Sequence, residues 1–294
     1  MSVKSHGIGH YIIIAVLAAG SLVLVYPLYN QLVISLTGTE YISQASGTSI
    51  IPYGFTLSTY KTVLAIPKVA RGVFNSILIT SVGLVINIVF TSMGAYVLTK
   101  RDLVGRSFFI TMIIITMIFE GGLIPDYFLM RKLHLLNSYW SVILYKAINP
   151  YYLIILMRFF DRVPASLIEA ARIDGYNETK ILFKIVIPVS VAGIATVSLF
   201  YGVFHWNEYF RAMIYLTNEA KYPLQVVLRE LLISAEKASF IGSMNFLKVT
   251  AAAQLDIKAI KAALIIISII PILAFYPFVL KYFVKGRLEG SVKE

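Results

Sequence analysis

The sequence predicts an all-α polytopic membrane protein with six transmembrane helices. Hydrophobic residues occupy 58% of its 294 positions and charged residues 14%, whereas about 25% of the residues in an ordinary soluble domain are charged. A helix needs about 20 apolar residues to cross a hydrocarbon core of about 30 Å. Backbone groups in hydrocarbon must be hydrogen-bonded within the segment, which favours helices. The predicted spans are residues 5–39, 72–99, 107–130, 133–157, 185–207 and 262–280.

The first span is predicted to be retained rather than cleaved as a signal peptide. Its apolar stretch runs from Tyr11 to about Ile34, which is longer than the roughly 7–15 residues of a signal peptide core. Charged residues interrupt only the third span, at Glu120 and Asp126, and the fourth, at Lys146. A charge within a membrane is costly unless it faces a partner, water or the bundle interior. These three residues therefore make the third and fourth spans candidates for a functional role.

Two connections are predicted to contain helices of their own. Residues 57–64 have the composition of a short helix capped by Ser58 or Thr59. In the long connection 208–260, apolar residues recur at helical spacing from Leu224 onwards, which predicts a helix with one packed face.

The distribution of basic residues predicts the orientation of the chain. The net charge is +11, but the basic residues are spread over loops and membrane ends, which indicates a lipid bilayer and no nucleic acid as partner. The short loop 99–106 carries Lys100, Arg101 and Arg106 against one aspartate. Because such loops are positive on the cytoplasmic side, the N- and C-termini and the segment 161–184 are predicted to be cytoplasmic.

The composition argues against catalysis by this chain. It contains no cysteine, which excludes disulfides, thiolate metal sites and cysteine nucleophiles. Its four histidines lack the arrangement of a metal site, and no G-x-x-x-x-G-K-[ST] phosphate loop occurs in the sequence. We therefore expect no catalytic residue, no metal and no bound cofactor, and a single transmembrane domain over 1–294.

The charge-rich segment between the fourth and fifth spans predicts two short helices joined by a sharp corner. Pro164 is expected to stop the preceding helix, and Ser166 and Glu169 have the spacing of a capping box. Gly175 fits a helix end that requires a positive φ. Asn177 fits the N-cap of the next helix.

The first of these two helices, over residues 167–174, is a candidate docking surface for another protein. The small side chains of Ala170 and Ala171 permit close approach of a partner backbone, and Leu167 and Ile168 supply apolar contacts. The simpler interpretation is that the glutamate is only a cap and the alanines only helix formers. These residues by themselves leave both interpretations open.

The same segment carries a recognisable order of residues. Glu169-Ala170-Ala171, Gly175 and Ile185-x-Ile187-Pro188 resemble the signature of the permease subunits of binding-protein-dependent ABC importers, with Ile187 where the family has leucine. Other stretches resemble the carbohydrate importers of the maltose-permease class, in particular the oligo- and polysaccharide subgroup that includes an alginate importer. These stretches are Phe119–Pro125, His205–Asn207, Tyr222–Gln225, Tyr276–Phe278 and Lys281–Gly286.

The resemblance implies a type I ABC importer permease fold in the cytoplasmic (inner) membrane of a bacterium. It also implies three kinds of partner: a second permease subunit in a heterodimer, two ATPase subunits that hold ATP and Mg²⁺, and an extracytoplasmic binding protein that delivers an oligo- or polysaccharide. The helix 167–174 corresponds to the coupling helix, which sits in an ATPase groove and passes rigid-body displacement to the spans. The expected coupling residues are Ser166, Glu169, Ala170, Ala171, Gly175, Ile185 and Pro188.

Two groups of residues are candidates for the substrate pathway. Glu120 and Asp126 lie around a Gly-Gly pair that loosens the third span, with Lys146 as a partner cation. Trp206, Asn207, Glu208 and Tyr209 combine aromatic faces with amide and carboxylate groups, as a glycan site does. Alternatively, the two carboxylates only reach water at a helix end, and the aromatic residues belong to the interfacial belt.

Two other functions are compatible with part of this sequence. An ion-coupled secondary transporter would use Glu120, Asp126 and Lys146 as a relay, but such folds often show paired repeats that this sequence lacks. A membrane scaffold that transports nothing leaves these charges unexplained. A positive outer side favours acidic sugars such as uronates, without fixing the substrate.

Overall fold

The computed structural model describes residues 8–42, 44, 45, 47–241 and 257–290. Within these residues the chain is helical and contains no β-strand, so the predicted all-α class is confirmed. The described residues divide into two compact units. The first comprises those up to Val69 and those from Leu228 to Ile270, and the second comprises Ala70–Val227 and those from Pro271 onwards. A single transmembrane domain over 1–294 stays a prediction.

The α-helices of the described residues are named in chain order. They are α1 (Ile8–Ser35), α2 (Ser58–Ala65), α3 (Pro67–Thr99), α4 (Arg106–Ile118), α5 (Leu123–Lys132), α6 (Tyr139–Ile143), α7 (Pro150–Phe160), α8 (Ala165–Ile173), α9 (Glu178–Ile181), α10 (Ile187–Val189), α11 (Val191–Asn207), α12 (Phe210–Tyr215), α13 (Leu224–Ile241) and α14 (Ile257–Gly290). A π-helical segment, Leu182–Val186, joins α9 to α10 without a break, and short 3₁₀ turns occupy Thr39–Tyr41 and Glu219–Lys221.

Not every predicted span is a continuous helix. Among the described residues, Gly9–Ser35, Pro67–Thr99 and Lys258–Pro277 are each long and apolar enough to cross a membrane alone. Two further crossings require a bent pair of helices, α4 with α5 at 113° and Glu178–Val189 with α11 at 88°. The structure therefore offers up to five spans by length and composition, and the predicted count of six is not confirmed.

The predicted fourth span, 133–157, is wrong as a single helix. It contains α6 and the start of α7, separated by residues 144–149, which are not helical. Pro150 explains where α7 begins, because proline lacks an N–H and disfavours the helical conformation of the residue before it. Asn149 then caps α7, since its Oδ1 accepts a hydrogen bond from Tyr151 N at 3.0 Å.

The third and fifth predicted spans are also interrupted. Residues 119–122 separate α4 from α5, and Gly122 has φ of +86°, a left-handed conformation that glycine adopts without steric cost. The predicted loosening at the Gly-Gly pair is confirmed. The fifth span, 185–207, is not one straight helix, because the chain bends at Ser190 before α11 begins.

In the first unit, α1 exposes apolar side chains along most of its length, as a lipid-facing helix does. Its last turns are tied to the connection that follows. Tyr29 Oη donates to Ile50 O at 2.6 Å and Asn30 Nδ2 to Ser49 O at 3.2 Å. Lys258 Nζ donates to Ala45 O at 2.6 Å, so the same connection is held from α14.

The predicted cap of α2 is wrong. Ser58 is already the first helical residue, and Thr59 is buried within the helix. Thr56 precedes the helix, and its hydroxyl oxygen accepts a hydrogen bond from Ser58 N at 3.1 Å. This bond satisfies one of the backbone N–H groups that have no partner within the first turn of a helix.

The second unit contains an apolar core built from α3, α7, α8, α9 and α11. Its fully buried members include Leu156, Ile181, Val197 and Tyr201. Within the same unit, α3 also turns a row of buried polar residues inward, namely Asn75, Ser76, Asn87 and Thr91. These side chains hold the non-helical stretches of the unit, and they position the site described next.

Candidate functional site

The helix α8 has one exposed face and one buried face. The exposed residues are Ala165, Ser166, Leu167, Glu169, Ala170, Arg172 and Ile173. Ile173 is 87% exposed, which is among the highest values for a large apolar side chain in the described residues. On the other face, Ala171 is 4% exposed and Ile168 packs against the same core.

This arrangement corrects the predicted docking surface in part. Ala171 and Ile168 were predicted to meet a partner, but they anchor α8 to its own core. Ile173 was missed, although the i, i+3 series Leu167, Ala170 and Ile173 gives the spacing of a single helix face. The role of the predicted coupling residues stays a prediction.

The start of α8 differs from the predicted capping box, and its end agrees with the prediction. The helix begins at Ala165 with Pro164 at the N-cap and no side-chain cap, so Ser166 lies inside the first turn and the capping box is wrong. Gly175 has φ of +77°. Gly175 N donates to Arg172 O at 3.0 Å and Tyr176 N to Ala171 O at 2.9 Å, which is a Schellman motif.

The predicted cap of the following helix is confirmed. Asn177 Oδ1 accepts a hydrogen bond from Lys180 N at 2.9 Å. The next residue, Glu178, ties the segment to α3. Its Oε2 accepts hydrogen bonds from Lys100 Nζ and from Tyr96 Oη, the latter at 2.5 Å, and its Oε1 accepts one from Arg172 at 3.0 Å.

The hydrogen bonds from Lys100 and Tyr96 lower the pKa of Glu178 to about 2. Glu178 lies in the segment 161–184, outside the predicted spans. Its carboxylate is therefore charged throughout the physiological range and links α8, through Arg172, to the end of α3.

The two remaining predicted coupling positions lie on the helix that follows. Ile185 belongs to the π-helical segment and packs against the apolar core, and Pro188 follows it in α10. Ile187 N donates to Leu182 O, five residues back. The wider π turn precedes a proline whose ring clashes with the carbonyl four residues back in a regular α-helix.

A buried polar framework holds the non-helical stretch 144–149. Asn87 Nδ2 donates to Lys146 O at 2.7 Å and to Ala147 O at 3.0 Å. Its Oδ1 lies 2.6 Å from His205 Nε2. Because this oxygen can only accept, the proton of the imidazole is on Nε2.

Tyr201 extends the framework to the last residue of the stretch, Asn149. Its hydroxyl accepts a hydrogen bond from Asn149 N at 2.7 Å and lies 2.8 Å from Thr91 Oγ1. Side chains from α3 and α11 thus satisfy backbone groups that a helix would have paired internally. This is how the chain interrupts a predicted span without leaving these groups unpaired.

Two ion pairs lie beside this stretch. Lys146 Nζ is 2.9 Å from Glu120 Oε1, so the predicted partner of Glu120 is confirmed. Arg211 pairs with Glu208 at 3.1 Å and donates to Tyr145 Oη at 2.7 Å. The Arg211 guanidinium also lies 3.8 Å from the centre of the Tyr145 ring, a cation–π contact.

A groove of about 630 Å³ lies at the end of α11. It is lined by aromatic side chains and by three of the predicted pathway residues. The lining residues are Tyr152, Leu199, Phe200, Val203, Phe204, Asn207, Glu208, Tyr209, Phe210, Ile272 and Tyr276. The rings of Tyr152 and Phe200 are stacked with centres 5.3 Å apart, so part of the wall is a continuous aromatic surface.

The structure separates the predicted pathway residues. Asn207, Glu208 and Tyr209 line the groove, whereas Trp206 is buried and lines a different apolar cavity of about 160 Å³. Asp126 lies in the first turn of α5, where its negative charge interacts favourably with the positive end of the helix dipole. Arg211 and Tyr145 were missed. Tyr145 joins the cluster through a contact 66 residues away in sequence, whereas the i, i+3 spacing of Glu208 and Arg211 is a signal that could have found Arg211.

The comparisons with known proteins decide the family. A family model described as the inner membrane component of binding-protein-dependent transport systems matches residues 103–288, which is more than half of the chain. The chain belongs to this family. The permease is 41% identical over 244 residues to the polygalacturonan/rhamnogalacturonan transport system permease protein YtcP of Bacillus subtilis, covering 83% of this chain and 84% of the relative. It is 29% identical over 221 residues to the arabinooligosaccharides transport system permease protein AraQ of Halalkalibacterium halodurans, covering 74% and 72%.

Similarity to a solved structure supports the same family at the level of the fold. The permease is similar, with a TM-score of 0.84 and 31% identity, to a chain in the crystal structure of a bacterial ABC transporter involved in the import of the acidic polysaccharide alginate. The similarity covers 96% of the permease and 99% of that chain. The predicted type I permease fold is therefore confirmed, and the family is that of a permease rather than of an ion-coupled transporter.

Proposed function

We propose that this permease imports an oligo- or polysaccharide that contains acidic sugars, and that partner ATPases drive it through α8. Polygalacturonan and alginate, the polysaccharides named for two similar transporters, are both built from uronic acids. The arabinooligosaccharide relative supports a carbohydrate substrate in general. The proposal for acidic sugars rests on the first two relatives.

In this proposal the permease works in the inner membrane of a bacterium with its termini in the cytoplasm. It forms a heterodimer with a second permease, receives the sugar from an extracytoplasmic binding protein, and binds no cofactor itself. Two ATPase subunits hold ATP and Mg²⁺. The contact of Lys100 with Glu178 supports a common side for the positive loop 99–106 and the segment 161–184.

The exposed face of α8 is the observation on which the coupling role rests. A helix that exposes Ile173 and Leu167 while its other face is fixed in the core has the form of a docking surface. The Schellman motif at Gly175 and the Glu178 contacts make the link to the following helix stiff. A displacement of α8 by an ATPase would therefore pass to the helix Glu178–Val189 as rigid-body motion.

The aromatic groove at the end of α11 supports the substrate role. Sugar rings present apolar faces and hydroxyl groups, so they bind where aromatic side chains lie beside hydrogen-bonding groups. The groove offers the stacked rings of Tyr152 and Phe200 with the amide of Asn207. We place the sugar along this wall during its passage.

ATP-driven uptake into proteoliposomes that contain the assembled transporter tests the proposal. Glu169→Lys reverses a charge on the exposed face of α8, and Gly175→Pro is incompatible with φ of +77°. We expect both variants to insert into the membrane and to lose ATP-driven uptake of oligogalacturonides. Lys180→Gln, an exposed change on α9, is the matched control and should transport normally. Normal uptake by both α8 variants would contradict the coupling role.

A further inference from the structure

The two ion pairs beside Tyr145 differ in how firmly they are held. Arg211 is locked, because Glu208 accepts hydrogen bonds from both the backbone N–H and the guanidinium of Arg211, at 3.0 and 3.1 Å, and the Glu208 side chain is only 7% exposed. The Tyr145 ring covers the guanidinium at 3.8 Å. A ligand cannot replace this buried carboxylate without leaving it unpaired, which is strongly unfavourable.

The pair of Lys146 with Glu120 is asymmetric. The Lys146 side chain is 25% exposed, and its backbone is fixed by the buried Asn87. The Glu120 side chain is 62% exposed and belongs to the break between α4 and α5, next to two glycines. The Lys146 cation is therefore held in place, whereas the Glu120 carboxylate lies in solvent. An ion pair with so exposed a member contributes little to the stability of the fold.

We propose that Lys146 is a specificity-determining residue that receives a carboxylate of the substrate in exchange for Glu120. In the absence of substrate, Glu120 is the ion-pair partner of Lys146. A uronate carboxylate can take over the same hydrogen bond from Lys146 Nζ while Glu120 turns to water. A neutral sugar offers no group that compensates the cation.

The location fits this exchange. Glu208 lines the aromatic groove and pairs with Arg211. The guanidinium of Arg211 in turn stacks on the Tyr145 ring. Lys146 follows Tyr145 in the chain, and its Nζ lies 5.8 Å from the centre of that ring. The groove wall at Glu208 is thus connected to Lys146 through Arg211 and Tyr145. Because Arg211 occupies a face of Tyr145, recognition at this point depends on the carboxylate rather than on stacking.

The inference rests on the proposed function, and the test separates the two. Uptake of trigalacturonate and of its fully methyl-esterified form is measured in proteoliposomes with the assembled transporter and internal ATP. Each variant is compared with wild type for each probe, so that the preference of the binding protein cancels. If wild type takes up neither probe, the proposed function fails and this inference fails with it.

Lys146→Gln should lower the uptake rate of trigalacturonate by about tenfold or more and change uptake of the ester by less than about twofold, within the range of a surface change. Lys146→Arg should retain most of the preference for the acid. Glu120→Gln removes the competing carboxylate, so the half-saturating concentration of trigalacturonate should fall severalfold. Lys132→Gln, an exposed lysine at the end of α5, should behave as wild type with both probes.

Two results would overturn the inference. Equal losses for acid and ester in Lys146→Gln would mean that Lys146 only supports the fold. An unchanged or higher half-saturating concentration of trigalacturonate in Glu120→Gln would mean that the two carboxylates do not compete. The second result is informative even where wild type rejects the ester, because it needs only the acidic probe.

Discussion

The segment 161–184 and the stretch 144–149 differ in what they expose and in what they bury. In the first, α8 turns Ile173 and Leu167 outward while its own core holds the other face. In the second, the backbone of residues 146, 147 and 149 is satisfied from within by Asn87 and Tyr201. The first region leaves large apolar side chains exposed, whereas the second satisfies its own backbone groups. Substitutions on the exposed face of α8 should therefore affect transport, and substitutions in the second region should affect stability.

The strongest test of the second region is Asn87→Leu. The change leaves the carbonyls of Lys146 and Ala147 and the imidazole of His205 without their partner. We expect the free energy of unfolding to fall by about 3 kcal/mol, measured by thermal unfolding of the purified permease. Thr116→Ala, which removes only a local exposed hydrogen bond, is the control. Equal behaviour of the two variants would mean that the stretch does not depend on Asn87.

Alanine substitutions at two glycines should change the stability of the permease in opposite directions. A Cβ at Gly83 would lie 2.5 Å from His205 Nε2, whereas a Cβ at Gly20 would have nothing within 4 Å. Gly83→Ala should displace His205 from Asn87 and destabilise the permease by about 1–3 kcal/mol. Gly20→Ala should stabilise α1 by about 0.5–1 kcal/mol. Thermal unfolding of both variants checks the prediction, and a stable Gly83→Ala would contradict the close packing of His205.

The smallest expected effect belongs to Glu178 and depends on pH. Hydrogen bonds from Lys100 and Tyr96 lower its pKa from 4.5 to about 2, so its contribution to stability is complete above about pH 4.5 and is lost as the pH falls towards 2. The carboxylate is half exposed, and solvent screening keeps this contribution below about 1 kcal/mol. Unfolding of Glu178→Gln across this range should lack the corresponding pH-dependent part. An unchanged pH profile would show that the Glu178 contacts contribute nothing.

The local features of the segment 161–184 were largely predictable from the sequence. Gly175 and Asn177 act through residues three to four positions away, so their roles follow from helix-end chemistry. Two details were not predictable in this way. The capping box failed because α8 starts two residues earlier than expected, and the buried side of the helix was assigned wrongly because Ala171 could pack inward or outward.

The stretch 144–149 was not predictable, because its contacts lie far apart in sequence. Asn87 and His205 are separated by 118 residues, and Asn87 and Lys146 by 59. Hydropathy alone merged the stretch with its neighbours into one span. Only the pairing of Lys146 with Glu120 could be anticipated, because a charge within a span requires a partner.

The absence of cysteine in the sequence permits a direct test of the docking role of α8. Ile173→Cys can be labelled with a maleimide in the purified permease, alone and in complex with its ATPase subunits. Ile51→Cys is the exposed control, because Ile51 is 74% exposed and the connection between the first two predicted spans lies on the side opposite to the cytoplasmic N-terminus. We predict that the ATPase protects Ile173→Cys and leaves Ile51→Cys reactive. Equal labelling of Ile173→Cys with and without the bound ATPase would contradict the account.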